Sequence, residues 1–425
     1  MSNLKTVKAV RAMATFAVMA VPMTAAMATN GYFSHGYGIK AKGMGGASAA
    51  STDNGFAGAN NPAAAAWAGN RLELGADLFS PNRSMTRANS GFGGMGDASV
   101  KSDKNMFVIP EIGFNRAVND KLGVGVTVYG NGGMNTDYAG GQLNCGNGPA
   151  NVLCGSGRLG VDLIQLIVAP TVAYKFNEQH AIGVSPLLVH QRFKAEGLDA
   201  FSRGSSAPSS LTNNGTDTSN GLGIRVGYLG KITDRFSVGA SYAPKIGMSK
   251  FSKYSGLFAE QGDFDIPANY TLGLSFQATP AVALAFDYQR IAYSGVKSIG
   301  NSSAQGTALL GSANGQGFGW SDINVVKLGV QWQATPKLVL RGGFNSGGNP
   351  VQSRDVTFNI LAPGVTTKHY TAGGTYALSG NTELSMSYMH APSSAVSGTS
   401  ALPFGGTETV RMSQRALGIQ FGWRY

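Results

Sequence analysis

The chain has 425 residues, of which 43% are hydrophobic and only 13% are charged, with 61 glycines and a formal net charge of +11. This composition excludes a disordered chain, which has fewer apolar residues, and a helical membrane protein, which has long apolar runs. The basic residues are spread along the chain and form no block of the kind that binds nucleic acid. We therefore expect no nucleic-acid partner.

Residues 1–28 have the three parts of a secretory signal peptide. A basic region contains Lys5, Lys8 and Arg11. An apolar region, AMATFAVMAVPMTAA, leads to the small-x-small cleavage site AMA at residues 26–28. We predict that this segment is removed on export, so that the mature chain begins at Thr29. No later run approaches the roughly 18 apolar residues of a transmembrane helix.

Residues 29–70 are rich in Gly and Ala and contain the sequence Asn61-Pro62-Ala63. Small side chains suit a segment that packs in a confined space, and Pro62 fixes the backbone where the chain turns. The alternative interpretation is a disordered tail.

From residue 71 onwards, the chain repeats a pattern of two alternating polar and apolar strands around a short polar turn. Six such hairpins are present, for example GFNRAVNDKLGVGVTVY and YLGKITDRFSVGA. With RLELGADLFS before them and ALGIQFGWRY at the end, they give about fourteen strands, an even number as in single-chain bacterial barrels. The predicted fold is all-β: an antiparallel transmembrane β-barrel over residues 71–425, in the outer membrane of a Gram-negative bacterium.

Alternation also assigns the two faces of the strands. One parity of the C-terminal strand is apolar and is predicted to face lipid: Leu417, Ile419, Phe421, Trp423 and Tyr425. On two central strands the predicted lipid faces are Val282, Leu284, Phe286 and Tyr288, and Asn324, Val326, Leu328, Val330 and Trp332. Asp287 and Lys327 then face the lumen, as expected, because a Lys in lipid near the midplane costs about 2–4 kcal/mol.

A fourteen-strand barrel is too wide for its wall side chains to fill, so it is either water-filled or plugged. Residues 29–70 are the only long segment before the first strand. The sequence therefore predicts an N-terminal hatch, or plug, inside the lumen. Short turns on one side and long loops on the other place both barrel ends at the periplasmic face and the loops outside.

The hatch sequence resembles that of the FadL/TodX family of outer-membrane transporters for long-chain fatty acids and other hydrophobic compounds. The resemblance rests first on GMGGASAA leading to Asn61-Pro62-Ala63. NGGMNTDYAGG resembles the family's third strand and following loop, VHQRFKAEG its fifth strand, FDIPANYTLGLSF its eighth and SMSYMH its penultimate one. The resemblance covers essentially the whole mature chain and implies a fourteen-stranded barrel closed by an N-terminal hatch.

The resemblance further implies passive, energy-independent uptake of long-chain fatty acids or related compounds. The mature N-terminus would gate a lumen pocket, and the substrate would leave sideways at a kink in the third strand. Tyr32 and Phe33 are the aromatic residues that could fill the pocket. Gly130, Gly132 and Gly133 permit the bend of a lateral gate, although on their own they also suit an ordinary loop start.

A carboxylate headgroup requires cations in the lumen. His190, Arg192 and Lys194 share one parity of the fifth strand, and we predict that they face inward with Lys327 as substrate-binding residues. Ser321, however, stands where fatty-acid members often carry a basic residue, so neutral or aromatic hydrocarbons remain an alternative substrate class.

Cys145 and Cys154, the only cysteines, lie in the loop after the third strand, and export favours a disulfide between them. In the chain-entropy model, closing so short a loop stabilises the folded protein by roughly 2–3 kcal/mol. No histidine lies near them in sequence, so we expect neither a metal nor another cofactor.

Catalysis has little support in the sequence. GYGIKAKGMGG follows a signal peptide rather than a strand, and no histidine lies in a metalloprotease or nucleophile-elbow motif. A lipid-modifying enzyme, a general porin and an adhesin remain as less favoured alternatives. The expected partners are the hydrophobic ligand, outer-membrane lipids and lipopolysaccharide, and the barrel assembly machinery, with a monomeric state implied by the resemblance.

Overall fold

Fourteen antiparallel strands form a single closed barrel in the computed structural model. The structure describes residues 30–146, 148–304 and 308–425, so the predicted signal peptide and Thr29 lie outside the described residues. The first and last strands close the barrel, with unbroken pairing from Arg71 opposite Arg424 to Ala88 opposite Thr407. The predicted all-β class and strand number are confirmed.

Each strand pairs with its neighbours in sequence, which gives an up-and-down barrel. The strands are β1 Arg71–Ala88, β2 Phe107–Ala117, β3 Leu122–Tyr138, β4 Leu159–Lys175, β5 His180–Glu196, β6 Asp217–Lys231, β7 Phe236–Ala243, β8 Asn269–Thr279, β9 Val282–Ile291, β10 Ile323–Thr335, β11 Leu338–Gly347, β12 Lys368–Ala377, β13 Thr382–Thr399 and β14 Thr407–Arg424.

Short turns join the strands at one end of the barrel, and long connections join them at the other. The loops contain short strands at Ala98–Lys101, Leu143–Asn144 and Pro149–Ala150, α-helical turns at Gly91–Gly94, Ala259–Gly262 and Lys297–Gly300, and 3₁₀ turns at Asp199–Gly204, Pro208–Ser210, Ser252–Tyr254, Tyr293–Gly295, Ser353–Asp355 and Phe358–Ile360. Within the described residues, no helix is both long and apolar enough to span a bilayer.

Apolar side chains on the outward face of the barrel follow the predicted alternation. Leu284, Leu328 and Trp332 are exposed, at 44%, 47% and 49%. Asp287 and Lys327 are buried and lie opposite each other on β9 and β10. The outward face of β14 also agrees, since Leu417, Ile419, Trp423 and Tyr425 are exposed. The assignment of Asp287 and Lys327 to the inner face is therefore confirmed.

The ladder between β2 and β3 stops before either strand ends. Pairing runs from Ala117 opposite Gly123 to Ile112 opposite Val128 and goes no further. On their other sides, β2 continues to pair with β1 as far as Phe107, and β3 with β4 as far as Tyr138. We call the resulting interval, between residues 107–111 of β2 and residues 129–138 of β3, the lateral gap.

Residues 30–70, the N-terminal segment, contact inward-facing side chains of strands around the barrel. Its helical turn, Ile39–Lys42, carries two buried lysines. Lys40 binds Glu73 of β1 at 2.9 Å and also Glu383 of β13, while Lys42 binds Asp77 and Glu111 at 3.1 and 3.0 Å. These four carboxylates fasten the segment to the wall where the first and last strands meet.

Opposite that wall, the same segment binds strands β5 and β6 through its Asn61-Pro62-Ala63 turn. The Asn61 side chain caps the 3₁₀ turn Pro62–Ala66 by accepting a bond from Ala63 N, and it donates to the carbonyl of Tyr228 on β6 at 2.9 Å. A Cβ built on Gly183 of β5 would lie 2.3 Å from the Pro62 carbonyl carbon. Glycine on the wall therefore makes room for this turn.

Replacing Lys42 with Met should destabilise the protein by about 3–5 kcal/mol, because Asp77 and Glu111 would remain buried without their cation. Arg158→Met is the matched control, since Arg158 also binds two carboxylates, Asp103 and Asp137, but is 45% exposed. The Arg158→Met change should lower the free energy of unfolding by no more than about 1 kcal/mol. Urea unfolding of both purified variants measures the difference, and equal losses would contradict a buried anchor.

Candidate functional site

The third strand contains a β-bulge beside the lateral gap. In its ladder with β4, Gly130 lies opposite Leu166 and Gly132 opposite Gln165, so Asn131 is the extra residue. The Asn131 side chain donates to Gln165 Oε1 at 2.9 Å, which holds the bulge against the neighbouring strand. A bulge bends its strand and increases the local twist, which is consistent with the loss of pairing to β2 at this level.

The start of the N-terminal segment, residues 30–37, lies against this bulge, and we call it the finger. Phe33 forms an antiparallel bridge with Gly132. Ser34 N donates to the carbonyl of Asn131 at 3.2 Å, and Gly133 N donates to the carbonyl of Tyr32 at 3.3 Å. A Cβ on Gly132 would lie 2.1 Å from the backbone carbonyl oxygen of Tyr32, so the close approach of the finger requires glycine at this position.

Aromatic rings from distant loops pack around the finger. The Tyr32 ring lies 5.2 Å from Phe33, 5.4 Å from Tyr293, 6.0 Å from Trp320 and 6.2 Å from Phe264, measured between ring centroids. Tyr293 and Trp320 meet edge to face at 5.1 Å. Such pairs contribute about 0.5–1.5 kcal/mol each beyond their buried area. We call these five residues the aromatic cluster.

The Tyr293 hydroxyl holds the finger backbone at two points. It donates to the Asn30 carbonyl at 2.5 Å and accepts from Tyr32 N at 3.2 Å. Burial raises the pKa of Tyr293 well above its usual range, so the hydroxyl keeps the proton that it donates. The finger is therefore held by one loop tyrosine as well as by the third strand.

A narrow cavity lies between the aromatic cluster and the lateral gap. It is small, with a volume of only about 10 Å³ for the centre of a water-sized sphere. Its lining includes Phe79 and Arg83 of β1, residues 133–135 of β3, and Trp320. The Trp320 ring thus belongs both to the aromatic cluster and to the wall of a small space beside the unpaired edge of the third strand.

Two of the sequence-predicted site groups meet in this region. Phe33 is fully enclosed by the finger, the third strand and the cluster, and Gly130, Gly132 and Gly133 form or flank the bulge that it contacts. Lys327 lies elsewhere in the lumen, buried beside Asp287, whose carboxylate accepts bonds from Ser48 N and Ala49 N at 2.8 and 3.0 Å. Lys327 therefore faces a carboxylate of the protein wall.

The predicted inward orientation of His190, Arg192 and Lys194 is wrong. All three lie on the outward face of β5, where Arg192 is 40% exposed and Lys194 39%. Leu187, Val189 and Phe193 take the inward face and are buried. Pro186 does not shift the alternation, because pairing with β6 runs unbroken through Pro186 opposite Ile224.

Outside the barrel wall, Arg192 and Lys194 have acidic neighbours. Arg192 lies 3.8 Å from Asp162, and Lys194 lies 2.6 Å from Glu196. The predicted disulfide between Cys145 and Cys154 is present in the loop that follows β3.

Sequence reasoning missed Tyr293, Trp320 and Arg83, because nothing local indicates that such distant residues meet at the third strand.

The chain resembles several solved structures across nearly its whole length. The toluene transporter TodX of P. putida is 19% identical and matches 92% of this chain and 99% of its own, with a TM-score of 0.68. A FadL homologue of Pseudomonas aeruginosa is 13% identical over 93% and 99%, also at 0.68. The Ralstonia pickettii toluene transporter TbuX is 20% identical over 92% and 99%, at 0.64.

A comparison with curated protein sequences found no match. At these low identities the solved structures support the fold alone. The family is established by a sequence model described as outer membrane protein transport protein (OMPP1/FadL/TodX), which matches residues 15–425. This chain therefore belongs to the OMPP1/FadL/TodX family of outer membrane transport proteins.

Proposed function

We propose that this protein is a passive channel that takes up hydrophobic compounds across the outer membrane and releases them sideways through the lateral gap. The N-terminal segment acts as a hatch that stays in the barrel, and the finger acts as its movable part. The observation that carries this proposal is the bridge between Phe33 and Gly132, made where the pairing of β2 with β3 has ended.

Sideways release follows from the chemistry of the cargo. An apolar molecule gains about 0.8 kcal/mol for each methylene that it buries, so a pocket for a dozen methylenes supplies on the order of 10 kcal/mol before the costs of binding. The ligand therefore binds tightly, and its release into water is unfavourable. A route that ends in the membrane removes this difficulty because the cargo is never exposed to the periplasm.

The fixed part of the segment favours this route. Lys40 and Lys42 anchor one side of the hatch and Asn61 the other, and breaking a buried ion pair costs several kcal/mol. The finger precedes these anchors and is held by hydrogen bonds and aromatic packing, which a ligand of similar chemistry can replace. A ligand that enters the aromatic cluster would therefore displace the finger and leave the hatch in place.

Monoaromatic hydrocarbons are a second substrate class that one observation favours. The rings of the aromatic cluster, from Tyr32 to Trp320, suit a flat apolar ligand, and the titles of similar solved structures name toluene transporters. Long-chain fatty acids also fit a hydrophobic route. The general-porin alternative predicts steady ion conductance through the wild-type barrel.

Replacing both Tyr32 and Phe33 with Ala should open the route without ligand, because the finger loses its ring contacts with Tyr293, Trp320 and Phe264. We expect the initial rate at which a small hydrophobic dye enters intact cells, which the lipopolysaccharide leaflet otherwise slows, to rise at least severalfold over the wild type. Tyr370→Ala, which removes a 50% exposed ring from the outer wall, is the control and should change nothing. Unchanged dye entry in the double variant would contradict gating by the finger.

Deleting Asn131 should close the lateral gap. Because Asn131 is the extra residue of the bulge, its removal keeps the pairing of both flanks with β4 and straightens the strand. We expect the initial rate of hydrophobic ligand uptake to fall about tenfold or more, while the barrel still forms a heat-modifiable band on a gel. Deletion of Gly148, in the loop between the two cysteines, is the control, and uptake that survives the Asn131 deletion would exclude sideways release.

A further inference from the structure

One buried guanidinium beside the lateral gap has no carboxylate partner. Arg83 of β1 is only 4% exposed and points into the lumen. Every Asp and Glu of the chain lies in the described part, and none is within 4.0 Å of Arg83. Isolated buried cations are rare in proteins because desolvation of the charge costs several kcal/mol.

The same strand shows how this chain compensates a buried arginine. Arg87, four residues on and facing the same way, binds Glu408 at 2.5 Å, and both side chains are fully buried. Arg341 of β11 likewise lies 3.4 Å from Asp53. Arg225 of β6 has no carboxylate but donates to the carbonyls of Gly58 and Ala59 and to the Tyr129 hydroxyl, so it holds the hatch.

Arg83 has few acceptors for its five N–H groups. It donates to the carbonyl of Asn135 on the unpaired edge of β3 and, at 3.4 Å, to the hydroxyl of Ser102. Its Nε has no hydrogen-bond partner among the described residues. The ring of Phe107, at the other edge of the gap, lies 5.7 Å from the guanidinium carbon and compensates part of the charge.

The position of Arg83 lies on the proposed route. Arg83 lines the narrow cavity that it shares with Trp320 of the aromatic cluster, and it is the one charged side chain among the described residues of that lining. A ligand that passes from Tyr32 towards the lateral gap would meet the Trp320 ring first and the guanidinium next. A carboxylate there could accept two parallel N–H bonds in place of the weaker neutral acceptors.

We propose that Arg83 is a recognition residue for the carboxylate of an amphipathic substrate during its passage to the lateral gap. This inference rests on the proposed function and narrows the substrate class to hydrophobic molecules with an anionic end. By taking the guanidinium away from the Asn135 carbonyl, the carboxylate would also release the edge of β3, so that the headgroup loosens the gap as the tail enters it.

The test compares one acyl chain with and without its charge, as dodecanoate and methyl dodecanoate. Initial uptake of each radiolabelled ligand is measured in a Gram-negative host that lacks its own member of the family, and is normalised to the heat-modifiable barrel in the outer membrane. We expect Arg83→Met to lower uptake of dodecanoate about tenfold or more and to leave the ester unchanged. Arg83→Lys should be intermediate, since an ammonium keeps the charge but not the paired donors.

Arg192→Met is the matched control, because it removes a guanidinium from the outer wall, and it should affect neither ligand. An equal fall of both ligands in Arg83→Met would overturn the proposal, since Arg83 would then only support the edge of β3. Unchanged uptake of dodecanoate would overturn it as well. If the Met variant does not assemble, the Lys variant decides, and an unchanged ratio of acid to ester refutes carboxylate recognition.

Failure of the wild type to take up either ligand above the empty host would refute the proposed function itself, and the inference with it. Uptake of both ligands by the wild type, together with insensitivity to Arg83, would leave the channel standing and remove only the headgroup site. The two failures are therefore distinguishable in one experiment.

Discussion

The unpaired edge of the third strand is the constraint on which the rest of the site depends. Within a membrane, every backbone N–H and C=O needs a partner inside the protein. Residues 129–138 lose the strand partner that β2 would provide, so other groups must serve. The finger supplies some through Tyr32 and Ser34, Arg83 supplies another at Asn135, and Asp103 N donates to the carbonyl of Asp137.

These substitute partners differ from a strand in one respect: each can be withdrawn separately. A ladder between two long strands opens only as a unit, whereas the finger is a short segment and Arg83 a single side chain. The rest of the N-terminal segment is fixed by buried charges on one side and by the Asn61 turn on the other. We therefore expect motion only in the part of the molecule that covers the gap.

Much of the fold was predictable from sequence because strands alternate and hairpins are local. The fourteen strands, the lipid faces of β9, β10 and β14, and the burial of Lys327 all follow from the period of two. The glycines of β3 indicated an irregular strand. Strand ends were less predictable from local sequence: β1 continues to Ala88, β3 to Tyr138 and β13 to Thr399.

The site itself was only partly predictable. The inward orientation assigned to Arg192 failed because the alternation of β5, which runs unbroken through Pro186, places Leu187, Val189 and Phe193 on the inner face. The cation that does face the cavity, Arg83, has no local signal, since its meaning depends on residues 133–135 and Trp320, far away in sequence. Assembly of such a site is a property of the barrel closure, not of any one strand.

Hydrogen–deuterium exchange of the finger, with and without a saturating hydrophobic ligand, tests the central claim most directly. The Ser34 amide is bonded to Asn131 on the third strand, and the Lys42 amide to Gly38 within the anchored turn. Displacement of the finger alone predicts that ligand accelerates exchange in a peptide containing Ser34 and leaves a peptide containing Lys42 protected. Unchanged exchange at Ser34, or equal acceleration at both, would contradict a movable finger on a fixed hatch.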